Sequence, residues 1–459
     1  MLTARLEARE VDGNPIRVGV VGAGRFGTMV VCRLAAMRGM RPAVVADLDA
    51  DRAAQALVQA GVAPDAMVRT DRAARVNAAV ASGRPVATGN VSALLRSPID
   101  VVVEATGTPD AGAASALEAI ENGKHVVMVT VEADVLVGSA LRRRADQAGL
   151  VYSAAYGDQP ALAQELHDWA TALGFQVVAA GKGTKYLPAY RKGTPDDVWE
   201  RYGLHAGPHS NVNPKMYNSF TDGTKSAIEM AALANMTGLR PDVRGMHFPA
   251  VGTDRLPEVL KPIAEGGILH RPGAVEVVSS VDREGRPVPH DLRWGVYVVV
   301  TSPNPYTRRC FADYGLPVDR TGAYAAFYRP FHLVGMELPV TIARAALDHQ
   351  ATGAPLPAPV AAVLCAAKRP LPAGEVLDGE GGYTVYGVID DAEAAERAAL
   401  LPIGLSSGVR LTRPVPEDGL VGLADVSIDP SGTLYTLWRE QMQPVVRAAP
   451  PPDPHRTVS

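Results

Sequence analysis

The sequence predicts an α/β chain: a doubly wound parallel sheet first, then an α+β catalytic domain, then a small β-rich C-terminal module. Three observations carry this. Through the first 150 or so residues short β-rich apolar runs alternate with segments of helical periodicity. The first run is followed at once by a glycine-spaced turn, Gly22-Ala23-Gly24-Arg25-Phe26-Gly27. Beyond Tyr152 the alternation stops, and beyond a Pro/Ala-rich stretch at 351–359 it gives way to short apolar runs broken by Gly and Pro. Strands that alternate with helices need crossover connections, which make the strands parallel and cover both faces of the sheet. The expected units are residues 1–155, 156–355 and 356–445, with a disordered Pro-rich tail at 446–459.

Element by element, Ile16–Val21 reads as a strand, and a helix follows with Phe26, Val30, Val31, Leu34 and Met37 near one face. Strands are expected at Pro42–Ala46, Val86–Thr88, Asp100–Val103 and His125–Val129, with helices at Ala54–Ala60 and Ala113–Asn122. The middle section offers a strand at Val151–Ala154, a helix at Gln164–Leu173, a strand at Gln176–Ala180 and a Gly/Lys loop at Gly181–Lys185. A helix at Ser226–Met236, a strand at Trp294–Thr301 and a helix at Val340–Leu347 complete it. The runs Val360–Ala367, Tyr383–Ile389, Ile403–Thr412 and Leu420–Val426 suggest the small β module.

Composition limits the function classes. The chain has 459 residues, a net charge of -4 and no long basic stripe, which argues against a nucleic-acid binder. The Arg142-Arg143-Arg144 cluster reads as a solvated helix face. No apolar stretch approaches the roughly 20 residues that span a bilayer. Three scattered cysteines, Cys32, Cys310 and Cys365, form no zinc-type spacing, and with no secretory leader they point to a reducing cytoplasm. A small-molecule substrate and a homo-oligomer are expected.

The turn after the first strand fits a dinucleotide fingerprint. Gly22 permits the tight turn, Gly24 lets the backbone approach a pyrophosphate, and Gly27 lets the helix pack close to the strand. The helix N-terminus, with Arg25 and Phe26, offers free N–H groups to phosphate. Asp47, twenty residues after Gly27, would accept hydrogen bonds from the adenosine ribose and repel a 2′-phosphate. NAD is therefore favoured, with NADP left open by Arg25 and Arg52. Thr106 and Gly107 close a later strand and are expected beside the nicotinamide, since ligands sit beyond the carboxyl ends of such strands.

Candidate catalytic residues follow the next strands. Lys182 and Lys185 lie in the Gly/Lys segment, where a lysine can hold a phosphate or polarise a carbonyl. Lys225 and Glu229 are four apart on a predicted helix, which gives either a surface ion pair or a catalytic lysine. His332 reads as a general acid or as a satisfied core histidine. Asp158 and Glu132 are acids near the expected cleft that could take a divalent cation through oxygen ligands; no metal ligand set is assigned.

The segments Gly22–Gly27, Val103–Gly107, Asn122–Met128 and Val131–Asp134 resemble the cofactor half of homoserine-dehydrogenase-like proteins. Ala180–Gly183, Thr194–Asp197, Glu229–Asn235 and Arg329–Leu333 resemble the deoxyxylulose-phosphate reductoisomerase-like proteins. Their C-terminal SAF domain is matched by Ala366–Leu377 and Leu401–Leu405. The resemblance spans residues 16–440 or so and implies an NAD(P)-dependent oxidoreductase, with reductoisomerase activity on a phosphorylated sugar in at least one member. Thr130-Val131-Glu132 stands where homoserine dehydrogenases carry a lysine, which argues against homoserine chemistry; the expected substrate is a small polyhydroxylated or phosphorylated sugar or sugar acid. The alternatives are a homoserine-dehydrogenase-like alcohol dehydrogenase and a non-catalytic, cofactor-binding carbohydrate sensor.

Overall fold

A computed structural model describes residues 1–203 and 213–443; the expected tail from residue 446 lies outside the described residues. The first sheet has seven strands: β1 (Ile16–Val21), β2 (Met40–Ala46), β3 (Val68–Arg69), β4 (Val86–Thr88), β5 (Val101–Glu104), β6 (His125–Met128) and β7 (Tyr152–Ala154). All its pairings are parallel, in the spatial order β3-β4-β2-β1-β5-β6-β7. Val18, Val20, Val101, Val102, Val103, Val126 and Val127 are wholly buried. That is why these strands read as unbroken apolar runs, as strands covered on both faces do.

The helices of this part are α1 (Leu2–Val11), α2 (Arg25–Ala35), α3 (Ala50–Gln59), α4 (Ala73–Ala81), α5 (Val91–Leu95), α6 (Pro109–Glu121) and α7 (Val131–Gln147). Local signals set several starts: Asp49 caps α3 and Asn90 caps α5, each accepting from a first-turn N–H, and Pro109 opens α6. The chain winds outward from β1 to one side and from β5 to the other. The crevice where the order reverses opens beyond the carboxyl ends of those two strands.

The second sheet is mixed: β8 (Gln176–Thr184), β9 (Arg240–Pro241), β10 (Ala274–Ser279), β11 (Val296–Thr301) and β12 (Tyr324–Arg329), in the order β12-β11-β8-β10-β9. β8 runs parallel to β10 and antiparallel to β11. With it come α8 (Gln159–Ala172), α9 (Val198–Tyr202), α10 (Pro214–Thr221), α11 (Thr224–Thr237), α12 (Leu256–Val259), α13 (Pro305–Asp313) and α14 (Pro339–Ala343). In α11 every residue from Ser226 to Met236 is buried, the mark of a helix enclosed on all sides.

The C-terminal part pairs β13 (Ala361–Ala367) with antiparallel β14 (Val385–Asp391), followed by α15 (Ala392–Arg397), the two-residue strands β15 (Arg410–Leu411) and β16 (Val426–Ser427), and α16 (Thr433–Gln441). Neither helix was expected in a β-rich module. The part is held closely: Asn235 Oδ1 accepts from Val360 N (2.7 Å) and Ala361 N (2.9 Å), and Gln441 Oε1 accepts from Ser139 N (2.9 Å). Arg142 and Arg143 donate to the carbonyls of Pro355 and Pro357, and Arg144 pairs with Glu440 at 2.6 Å. The arginine cluster therefore grips the C-terminal part, which corrects its reading as a solvated face.

Candidate active site

The glycine turn is built as the spacing requires. A Cβ on Gly27 would stand 1.8 Å from Gly22 O, and one on Gly22, whose φ is 96°, would stand 2.5 Å from Ala105 O. A Cβ on Gly24 would meet nothing within 4 Å. Two glycines thus serve packing, whereas the third keeps space clear at the mouth of α2. G27A is expected to destabilise the fold, because backbone must shift. G24A should melt like wild type but bind dinucleotide more weakly. Calorimetric melting and cofactor titration of both variants check this, and equal behaviour would contradict the division of roles.

Asp47 ends β2 and ties the turn to it: Oδ2 accepts from Ala23 N (2.7 Å) and Oδ1 from Asp49 N (3.0 Å). Asp47 does not line the cavity described next. Thr106 and Gly107 follow β5 and do line it. Their turn is set by Glu104, whose wholly buried carboxyl accepts from Thr106 N (2.8 Å) and Oγ1 (2.5 Å). Burial raises the Glu104 pKa despite these bonds.

A cavity of about 920 Å³ runs from Gly24, Arg25 and Phe26, past Thr106 and Gly107, to the carboxyl end of β8 and the N-terminal half of α11. It brings together all five candidate catalytic residues: Asp158, Lys182, Lys185, Lys225 and His332. Two of the expectations for them need correction. First, Lys182 is not on a loop. β8 continues to Thr184, and the glycines beside Lys182 are there because neighbouring backbone crowds them: a Cβ on Gly181 would lie 1.8 Å from Glu276 O and one on Gly183 1.9 Å from Leu292 O. Second, Lys225 does not pair along the helix with Glu229. Lys225 Nζ meets Glu132 of α7, and Glu229 instead meets Lys182 Nζ, both ends of that pair being about 5% exposed.

The other candidates are fixed at the cavity wall. Asp158 caps α8, accepting from Gln159 N at 2.9 Å. His332 donates Nδ1–H to Trp294 O at 2.7 Å. Lys185 Nζ donates to Arg201 O at 2.9 Å.

One wall residue was not foreseen. Glu380, from the C-terminal part, lines the cavity beside Lys225 and Glu132. A lone glutamate between two glycines of a loop carries no local signal of its place here. Burial and the neighbouring Glu132 push Glu380 up to about 8. Burial, then Glu229, also raises Asp158. For Lys225 burial alone would lower the pKa, but Glu132, Glu229, Glu380 and Asp158 outweigh it and raise it, so the ammonium persists. Near neutral pH the cavity therefore holds both a fixed cation and a protonated carboxyl group.

A pH effect on stability follows. Folded Glu380 keeps its proton between the ordinary 4.5 and about 8. In that window the native state binds more protons than the unfolded chain, so stability falls as pH rises. E380Q lacks this titration. The melting temperature of wild type should drop more than that of E380Q across the window, and parallel pH profiles would contradict the assignment.

Residues 22–153 match the family model of the homoserine dehydrogenase NAD-binding domain, and residues 157–338 that of the catalytic domain of the oxidoreductase DRL. No curated protein sequence matches the chain significantly. Among solved structures, the UDP-N-acetylglucosamine 3-dehydrogenase of Acidithiobacillus ferrooxidans matches at 15% identity and TM-score 0.39, over 74% of this chain and 92% of that one. The myo-inositol dehydrogenase of Lactobacillus casei matches at 16% and 0.34, over 62% and 71%. The match to a 3-ketoreductase of Actinomadura kijaniata, at 19% and 0.25, covers 38% of this chain and half of that one. Among the described residues no helix is long and apolar enough to cross a membrane. The two family models make the chain an NAD(P)-dependent oxidoreductase.

Proposed function

We propose that the chain interconverts a hydroxyl and a carbonyl on a small polyhydroxylated or phosphorylated sugar or sugar acid, with NAD favoured over NADP. The single observation that carries this is the continuous cavity from the open space at Gly24 to the paired Lys182–Glu229 and Lys225–Glu132. The nicotinamide, when bound, supplies or accepts the hydride. The residues Gly24, Arg25 and Phe26 would hold its pyrophosphate, and Thr106 and Gly107 would border its ring.

The chain's own residues then handle charge and protons. Lys182, locked by Glu229, stands ready to donate to the oxygen on which negative charge develops; a fixed donor, itself only 5% exposed, stabilises that charge without reorganising. Lys225 keeps the adjoining carboxylates compensated. Asp158, Glu380 and His332 are the groups that can pass a proton to or from that oxygen. The acids suit the hydroxyls of a polyol, and Lys185, Lys215 and Arg293, which line the same cavity, suit a phosphate or carboxylate. Of the two acids expected to take a divalent cation, Glu132 already meets Lys225 and Asp158 accepts from Gln159 N. Asp47 disfavours a 2′-phosphate by its charge at the end of β2. The divisions at 155/156 and 355/356, and the likeness of the third unit to SAF domains, belong to this proposal.

The test is a screen of sugar phosphates and sugar acids in both directions, followed at the reduced-nicotinamide absorbance band. A substrate-dependent change supports the reading. Tight cofactor binding with no turnover on any of these would favour the sensor instead.

A further inference from the structure

A second group of chemically capable side chains lies away from the cavity, at the β9 edge of the second sheet. Where β9 ends, Asp242 turns a wholly buried side chain onto the loop before β10. Its oxygens accept from His270 N (3.0 and 3.1 Å) and Arg271 N (3.3 Å). Asp242 Oδ2 also lies 2.9 Å from His270 Nδ1 and 3.6 Å from His247 Nε2. One donor atom from each of Asp242, His247 and His270 lies within 4.8 Å of the others. None of the three lines the cavity.

His247 is held there against local preference. Its neighbours Met246 and Phe248 both have positive φ, 61° and 49°, which side chains other than glycine rarely adopt. The buried carboxylate of Glu276 on β10 fixes this turn, accepting from His247 N (3.0 Å) and Phe248 N (3.2 Å). It also accepts Nδ1–H of His247 at 2.8 Å. His247 Nε2 is thereby turned toward Asp242 and His270. A carboxylate that takes the far ring N–H and orients the near nitrogen is the usual support behind a metal-bound imidazole.

We propose that Asp242, His247 and His270 bind a divalent transition metal, with Glu276 as the positioning residue. Tetrahedral coordination at about 2.0–2.2 Å puts neighbouring ligand atoms roughly 3.3–3.5 Å apart. The 2.9 and 3.6 Å separations bracket that spacing, so small rotations of exposed His270 complete the site. Two imidazole nitrogens and one carboxylate oxygen suit zinc-like ions better than magnesium or calcium. The fourth position opens past the His270 ring, whose side chain is 62% exposed. The ion would pin the segment after β9 to the loop before β10, and so brace the edge of the sheet that carries Lys182. This reading is independent of the proposed substrate.

The test uses the chelator-stripped full chain, titrated with zinc by calorimetry and by competition with a chromophoric chelator, alongside H270A, D242N and E276Q. One equivalent should bind, magnesium should not compete, and zinc should raise the melting temperature. H270A and D242N should each weaken binding at least about tenfold, and E276Q by about 10–100-fold. H270A alters only an exposed side chain, so it stays informative if D242N fails to fold. Absence of saturable zinc binding, equal competition by magnesium, or unchanged affinity in H270A would overturn the proposal.

Discussion

K182M is expected to lose turnover by a factor on the order of 10²–10³, the effect of removing one preorganised donor from a developing oxyanion. The substitution keeps the length of the side chain and removes its donor. Dinucleotide affinity should hold, because the glycine turn and Thr106–Gly107 lie on the first sheet while Lys182 lies on the second. Glu229 would be left buried without its partner, so K182M also destabilises the chain. The double variant K182M/E229Q separates the two effects: stability should recover while turnover does not. Steady-state kinetics with melting of both variants decides this. Recovery of turnover in the double variant would mean that Lys182 only balances charge.

The second large effect is on folding. Lys368 and Asp222 form an ion pair at 2.8 Å in which Lys368 is 4% and Asp222 1% exposed. Lys368 Nζ also donates to Gly193 O and Gly382 O, each at 2.7 Å. One ammonium thus joins the loop before α9, the start of α11 and the loop before β14. Removing one partner of such a pair costs about 3–5 kcal/mol, because the other charge stays buried and unpaired. K368M should therefore lose about that much stability, whereas K368M/D222N should recover part of it. Denaturant unfolding of both measures the difference, and a K368M chain as stable as wild type would contradict the packing.

What the sequence disclosed and what it hid follow one division. The glycine turn was legible because its causes are local: Gly22 and Gly27 each answer a constraint set within a few residues or by the neighbouring strand end. The strand–helix rhythm was legible for the same reason. Gly181-Lys182-Gly183 misled because glycines demanded by cross-sheet crowding look, in sequence, like those of a loop. The partners of Lys225 and Glu229 misled because helical spacing made each seem sufficient for the other, while the fold offered Glu132 and Lys182 instead. Glu380 was invisible because its loop is held by α10, where Lys215 donates to Asp378 O and Asn218 to Gly381 O, contacts far apart in the chain. The helices α15 and α16 were hidden by the Gly and Pro that surround them.

The most direct measurement is isotope transfer. With a substrate found by the screen and cofactor carrying deuterium at the transferring position of the nicotinamide, wild type should place that deuterium stereospecifically on the product carbon. K182M should do the same, but far more slowly. Deuterium appearing in solvent rather than product, or transfer undiminished in K182M, would contradict the account.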